Sequence, residues 1–348
     1  MVAISAAGCS GGGGSSRLPS SATETAPLVG EPEDELVLSA GPSAFPAGVL
    51  ARFTQASGCA VARIGPEDAA ARPDVYERSG SEAGALAESG LVVPLDLGDV
   101  PGTSEIPGRL ADPLRITAGG HAGLPYLWSA QVLVARRPES GGEAVDSLRQ
   151  LFARRFAGQV AVADTPLSLA IAARLFGGED PFALDRDGLR AAGDALDLAR
   201  PAVYSSGAEL RRALESGAIQ LALATPADLV GLTATTDRQI PREGTVGAER
   251  VLSVGARADH PGCARAFLAH VLLPESQAAL ALARVQWPVR PGCEVVSPAT
   301  CRRQRGALAK TLGRVALAHT PTIDEGLPTA ADWRAAWDRL ALSAPRAD

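Results

Sequence analysis

Leu36-Val37-Leu38-Ser39-Ala40, stopped by Gly41-Pro42, then Ala47 to Ala56, then Cys59-Ala60-Val61-Ala62-Arg63-Ile64: the reading of this stretch decides the fold. The first run is apolar, too short for a helix and ended by two turn formers, as a buried strand is. Between Ala47 and Ala56 the apolar residues Val49, Leu50 and Phe53 recur at helical spacing, and Ser57-Gly58 closes them. The third run is strand-like again. Strand, helix, strand with tight connections is a βαβ unit, whose crossover makes the two strands parallel.

The alternation continues along the chain. Asp74-Val75-Tyr76 predicts a brief strand, Ser81 to Ser89 a helix, and Leu91 to Leu95 an extended exit. Gly123 to Trp128 and Ala130 to Ala135 predict two strands meeting at a turn, Val145 to Phe152 a helix, and Gly158 to Ala163 a strand. Helices follow at Leu167 to Phe176, Asp187 to Leu198 and Ser206 to Ser216, the last with Ser206 as its N-cap. Strands at Leu221 to Ala224 and Val251 to Val254 come next, then helices at Pro261 to Leu272, Pro274 to Leu282, Arg303 to Leu317 and Thr329 to Leu340.

The 348 residues, 46% of them hydrophobic, suffice for two ordinary cores. A net charge of −6 and the absence of any dense Lys/Arg stretch exclude a nucleic-acid partner. No apolar run approaches the ~18–20 residues that span a bilayer. The four His, at 121, 260, 270 and 319, show no metal-site spacing, and there is no GxSxG, P-loop or GxGxxG that a strand and helix would frame. Neither metal, cofactor nor catalytic residues are expected.

At the N-terminus a short apolar run, Val2 to Ala7, meets Gly8-Cys9 and opens into Ser10-Gly11-Gly12-Gly13-Gly14. Small residues before a cysteine, followed by a flexible Gly/Ser run, have the parts of a bacterial lipoprotein signal. Cys9 is therefore expected to carry the lipid, with residues 1–9 a partial signal peptide whose true start lies upstream, and 10–34 a disordered tether. Lipidation of Cys9 leaves four cysteines. Cys293 and Cys301, flanking a short loop, are the expected disulfide; whether Cys59 and Cys263 pair is left open.

Several segments, in order from about Leu36 to Leu340, resemble the extracytoplasmic solute-binding proteins of the spermidine/putrescine-binding type, the soluble receptors of ABC importers. Leu36 to Ile64 resembles the family's opening, and Gly123-Leu124-Pro125-Tyr126-Leu127-Trp128 its central hinge strand. Ser147-Leu148 to Gly158-Gln159-Val160 is similar to its next segment, with Asp164 at an acidic turn. Tyr204-Ser205-Ser206 to Ala224, Ile240-Pro241-Arg242-Glu243-Gly244, and His260-Pro261 to Pro274-Glu275 continue the likeness.

The resemblance implies an α/β, two-lobed periplasmic-binding-protein-like fold of type II, each lobe a mostly parallel sheet flanked by helices, joined by crossing hinge strands. Residues 36–135 with 251–302 would form lobe 1, and 136–250 with 303–342 lobe 2. Crossings are expected near Val134 to Arg137 and Gly247 to Val251. It further implies a small-molecule solute in the interlobe cleft, an ABC permease as partner, attachment to the membrane through the N-terminal lipid, and a monomer in the periplasm or at the cell surface. A surface lipoprotein that kept the fold as a sensor or interaction module is the alternative.

A polyamine receptor needs carboxylates and aromatic faces. At the matching positions this chain has Ser43 and Phe45 in the loop after the first strand, Asp164 and Thr165 at the acidic turn, and Arg250 where an acid is expected. Arg250 in that place points to an anionic or zwitterionic solute, gripped with help from Ser43, Thr165 and Tyr204; a register shift would make Glu249 the pocket group instead. Trp128 and Tyr126 stack on ligand or pack the hinge, Tyr204 lines the cleft or caps a strand, and Trp287 is a further contact candidate. Trp333 and Trp337, four apart on a terminal helix, read as core.

Overall fold

The opening βαβ unit forms as read. In the computed structural model, which describes residues 31–68, 72–117, 119–137, 145–176, 180–290, 306, 308–318, 327–341 and 344–347, strand β1 (Glu35–Ser39) leads through helix α1 (Ala47–Ser57) to β2 (Ala60–Ile64), and Glu35 to Ser39 pair in parallel with Ala60 to Ile64. Val49 and Phe53 bury the inner face of α1, and Gly58 ends it at φ 81°, a left-handed conformation that its missing Cβ permits.

The first sheet adds β3 (Val75–Ser79), which runs straight into α2 (Gly80–Glu88), and then β4 (Leu124–Ala130) after a segment containing the short α3 (Gly108–Ala111). The second sheet is built from β5 (Val132–Arg136), β6 (Val160–Ala163), β7 (Ala202–Tyr204), β8 (Leu221–Ala224) and β9 (Thr236–Gln239) in the order β7-β6-β8-β5-β9. Helices α4 (Leu167–Phe176), α5 (Arg186–Ala199) and α6 (Gly207–Ser216) connect its strands. Alternate side chains of this sheet enter two cores. Val160, Val162, Leu221 and Leu223 pack with α4 and α5, while Ala161, Ala222 and Ala224 meet Leu210, Ala213 and Leu214 of α6. A sheet covered on both faces explains why Leu221 to Ala224 reads as a continuous apolar run.

The chain then returns to the first sheet along β10 (Thr245–Val254), makes α7 (Pro261–Val271) and α8 (Pro274–Arg284), and adds β11 (Trp287–Pro288) and β12 (Val315–Leu317). The resulting order is β11-β4-β10-β3-β1-β2, with β12 beside β10. A last helix, α9 (Ala330–Ala341), packs Trp333, Ala336, Trp337 and Leu340 on the second core.

Several expectations need correction. The runs around Trp128 and Val134 do not pair with each other: β4 lies in the first sheet and β5 in the second, and the chain crosses at Gln131, ahead of the expected boundary at Ala135. Because the crossing strands β4 and β10, and β5 in the other lobe, pair antiparallel with neighbours, each sheet is mixed. Val145 to Phe152 yields only a 3-10 turn at Leu148–Phe152. The helix expected to run to Leu317 stops near Gly313, and Val315 to Leu317 pair with Thr245 to Gly247 instead. β-branched Val315 fits that ladder, so this part of the segment expected in lobe 2 belongs to the first sheet. Cys9 and the Cys293–Cys301 pair lie outside the described residues. The end of the expected tether is held: the Glu33 carboxylate accepts the backbone N–H groups of Gly262 and Cys263 at the start of α7. Cys59 and Cys263 form a disulfide there.

One buried ion pair anchors α7. Asp74, fully buried, accepts from Val37 N–H at 2.7 Å and from both the backbone N–H (2.9 Å) and the ring Nδ1 (2.9 Å) of His260. The Asp74 hydrogen bond holds the His260 imidazole above its ordinary value, against a smaller opposing effect of burial. A raised imidazole stabilises the fold fully below its unfolded value of about 6.5 and loses that contribution as pH rises through its folded value. Melting temperatures should therefore show His260→Gln further below the parent at pH 5.5 than at pH 9.

Candidate functional site

The carboxyl ends of β3 and β6 face each other across the gap between the lobes, and each strand turns directly into a helix. Crevices at the carboxyl ends of strands are where α/β sheets take ligands. Here the crevice is a cleft of about 470 Å3. Ser79, Ser81 and Glu82 in the first turn of α2 line one side, and Thr165, Leu167 and Phe182 the other. Ala248 of β10 and Ala318 after β12 also line it, as do Trp333 and Arg334 of α9.

Local sequence explains why these side chains are there. Ser79 caps α2: its hydroxyl accepts from Glu82 N–H (3.4 Å) while the Glu82 carboxylate accepts from Ser79 N–H (2.8 Å). Burial pushes the Glu82 carboxyl up, but the Ser79 hydrogen bonds and the nearby Arg250 charge bring it below the usual range. Across the cleft the Thr165 hydroxyl accepts from Leu167 N–H at 3.4 Å, at the start of α4. Two helix N-termini thus point into one cavity, which favours negative charge. Arg334 is exposed at its edge and forms no ion pair among the described residues.

Of the residues singled out in the sequence, Thr165 lines this cleft. Arg250 stands beside it but is engaged: its Nε donates to Glu77 at 2.6 Å and its terminal nitrogen lies 2.5 Å from the same oxygen, leaving its side chain 24% exposed. Glu77 also accepts from Tyr126 Oη at 2.9 Å and lies 3.9 Å from Arg284. Burial, with the Glu77 charge adding to it, pushes the Tyr126 phenol far above its ordinary value. Phe45 is buried, stacked on Tyr126 at 5.6 Å and edge-on to Phe267 at 5.3 Å, while Ser43 is exposed.

Asp164 accepts from Trp337 Nε1 (2.8 Å), Arg346 (3.0 Å) and Ser205 Oγ (3.3 Å), and these bonds hold its carboxyl low although burial pushes it up. Tyr204 is buried and donates to Leu223 O at 2.9 Å, a bond within the second sheet. Trp128 is fully buried and stacks on half-buried Trp287 at 4.7 Å. Ser79, Ser81, Glu82, Phe182 and Arg334 went unread as site residues; the Ser79-x-x-Glu82 box directly after a strand was the available signal. Trp333, read as core, packs in the second core and lines the cleft as well. Among the described residues no group of His, Cys, Asp and Glu is placed to hold a metal ion.

The sequence profile of the family described as bacterial extracellular solute-binding protein matches residues 51–300. The chain belongs to that family. Like other extracellular solute-binding proteins it is a binding protein and not an enzyme, and its two mixed sheets are the type II architecture. The spermidine/putrescine ABC transporter substrate-binding protein PotD of Streptococcus pneumoniae is 16% identical, with a TM-score of 0.70 over 89% of this chain and 98% of that one. The Treponema pallidum lipoprotein TpPotD is 15% identical, with a TM-score of 0.68 over 89% and 100%. MotA of A. tumefaciens B6, solved with glucopine, is 14% identical, with a TM-score of 0.65 over 89% and 99%. No curated protein matches the sequence significantly. As in any solute-binding protein of this architecture, a cleft between lobes is the place where a solute can be enclosed from two sides.

Proposed function

We propose that this solute-binding protein is the lipid-anchored receptor of an ABC importer, held at the periplasmic or cell surface through Cys9, working as a monomer and passing its solute to a membrane permease. Its solute is a small carboxylate or zwitterion rather than a polyamine. One observation carries this reading: Glu77 is taken by Arg250 and Asp164 by Arg346 and Trp337, and Ser79 occupies one oxygen of Glu82 and leaves the other, whereas Arg334 is uncommitted at the edge. A diammonium chain would find no uncommitted carboxylate pair, while a carboxylate would meet Arg334, two helix N-termini and the Thr165 hydroxyl. The free edge of the Glu82 carboxylate and the faces of Trp333 and Phe182 suit a zwitterion with an apolar body. The structural neighbours include receptors for GABA and for glucopine as well as polyamine-binding types, so the architecture is compatible with such a solute.

A thermal-shift panel of polyamines, amino acids and small carboxylates tests this. A solute at 100 times its dissociation constant adds about 2.7 kcal/mol, a visible rise in melting temperature. Carboxylate-bearing solutes should give that rise, and Arg334→Ala should weaken them about tenfold. A response to putrescine or spermidine that Arg334→Ala leaves intact would return the chain to polyamine capture; silence from every class would favour the non-transport lipoprotein.

A further inference from the structure

Glu249 is fully buried, and neither carboxyl oxygen has a hydrogen-bond partner. Leaving such a group unpaired is costly, so its presence in a native fold calls for a physical explanation. Its place in the fold suggests one. Along β10, Val246 and Ala248 pack in the second core and Leu252 and Val254 in the first, so Glu249 sits where the strand passes from one lobe to the other. The other two passages lie alongside. Ala130 pairs with Gly247 just before the chain crosses at Gln131, and Leu317 pairs with Gly247 just before Ala318 enters the second core.

The carboxyl is wedged under the first turn of α2, where a Cβ added to Gly80 would stand 2.9 Å from Glu249 Oε2 and 3.2 Å from Ala318 O. Its partner across the ladder is Trp128, whose buried Nε1 is likewise without a hydrogen-bond partner, as is Gln131 Oε1. Three residues with unpaired buried polar atoms thus lie on the two stretches of chain, β4 to Gln131 and β10, that pass between the lobes.

We propose that Glu249 is a proton-binding site at this joint between the lobes, and that a proton held there keeps the lobes in the arrangement described here. Loss of the proton drives a rotation that admits water to the joint, so solute retention becomes coupled to pH. Burial pushes the Glu249 carboxyl up to about 8, opposed only by its own backbone N–H. Of the charged groups on the elements packed around it, Glu88 lies exposed at the far end of α2 and Arg78 is bonded to Ser39. Glu82 is bound by Ser79, Arg250 by Glu77, Arg109 by Val315 O, and Asp112 and Arg115 pair with each other. A hydrated glutamate titrates near 4.3, so between there and about 8 this arrangement holds a proton that a wet joint releases, and rising pH disfavours it.

The experiment needs no solute, so its outcome is independent of the ligand reading above. Small-angle scattering and thermal melts of the full chain at pH 5 and pH 8.5 are compared with Glu249→Gln and, should that variant fold poorly, Glu249→Met. The parent should gain radius of gyration and lose roughly 5 °C or more of melting temperature at pH 8.5 beyond any change in the variants, whose radius should stay at the pH 5 value. A parent radius unchanged with pH, or variants that expand as the parent does, overturns the proposal. So does a Glu249-dependent melting temperature without any change in radius, which would make the residue a buried acid with no hold on the lobes.

Discussion

Glu77→Ala is expected to cost about 3–5 kcal/mol of folding stability, the range for removing one partner of a buried ion pair. The Glu77 carboxylate is 2% exposed and takes hydrogen bonds from Arg250 and Tyr126, with Arg284 at 3.9 Å. Its loss strands one guanidinium at 24% side-chain exposure and leaves a fully buried phenol without its acceptor. Arg284→Ala, which removes only the long contact, should cost far less. Urea unfolding measures both; a Glu77→Ala loss below about 1 kcal/mol would mean that water reaches Arg250 freely and the pair is not a closed one.

Breaking the Cys59–Cys263 bond comes next in size. The residues are 204 apart in sequence, and the bond ties the approach to β2 to the first turn of α7. Closing so long a loop restricts the unfolded chain strongly, and loss of such a bond costs about 2–5 kcal/mol. Dithiothreitol should lower the melting temperature of the parent by roughly 10 °C. A double variant with serine at both positions should start near the reduced value and ignore the reductant. An unchanged parent in reductant would show that the sulfurs are not joined in the folded protein.

What the sequence disclosed follows the range of the interactions involved. The β1-α1-β2 unit, the Ser206 cap and the stop at Gly58 depend on residues a few positions apart, and all were readable. β9, with the sequence Thr236-Asp237-Arg238-Gln239, is a polar edge strand whose pairing to β5 is its whole reason to be extended, so it leaves no periodic trace. β12 is likewise made by its partner. At the site, the alternation of β10 could not reveal the shift of its register against β4 at Arg250 and Val251, where Tyr126 is the extra residue. Neither Arg250 nor Glu249 became the open pocket group that the two registers offered. One is bound to Glu77 and the other is sealed beneath α2. Trp333 shows the same limit from another side, because an apolar stripe on a helix looks alike whether it meets a core or a cleft wall.

The chain passes between the lobes at Gln131, along β10 and after Leu317, so neither lobe is one continuous piece of sequence. A protease that nicks any one passage leaves two others intact, and the fragments stay folded together through paired strands on both sides of the cut. Limited digestion would then give two bands on a denaturing gel and one particle in solution. For a receptor at work outside the cell, among secreted proteases, the threading of its backbone is a form of damage tolerance.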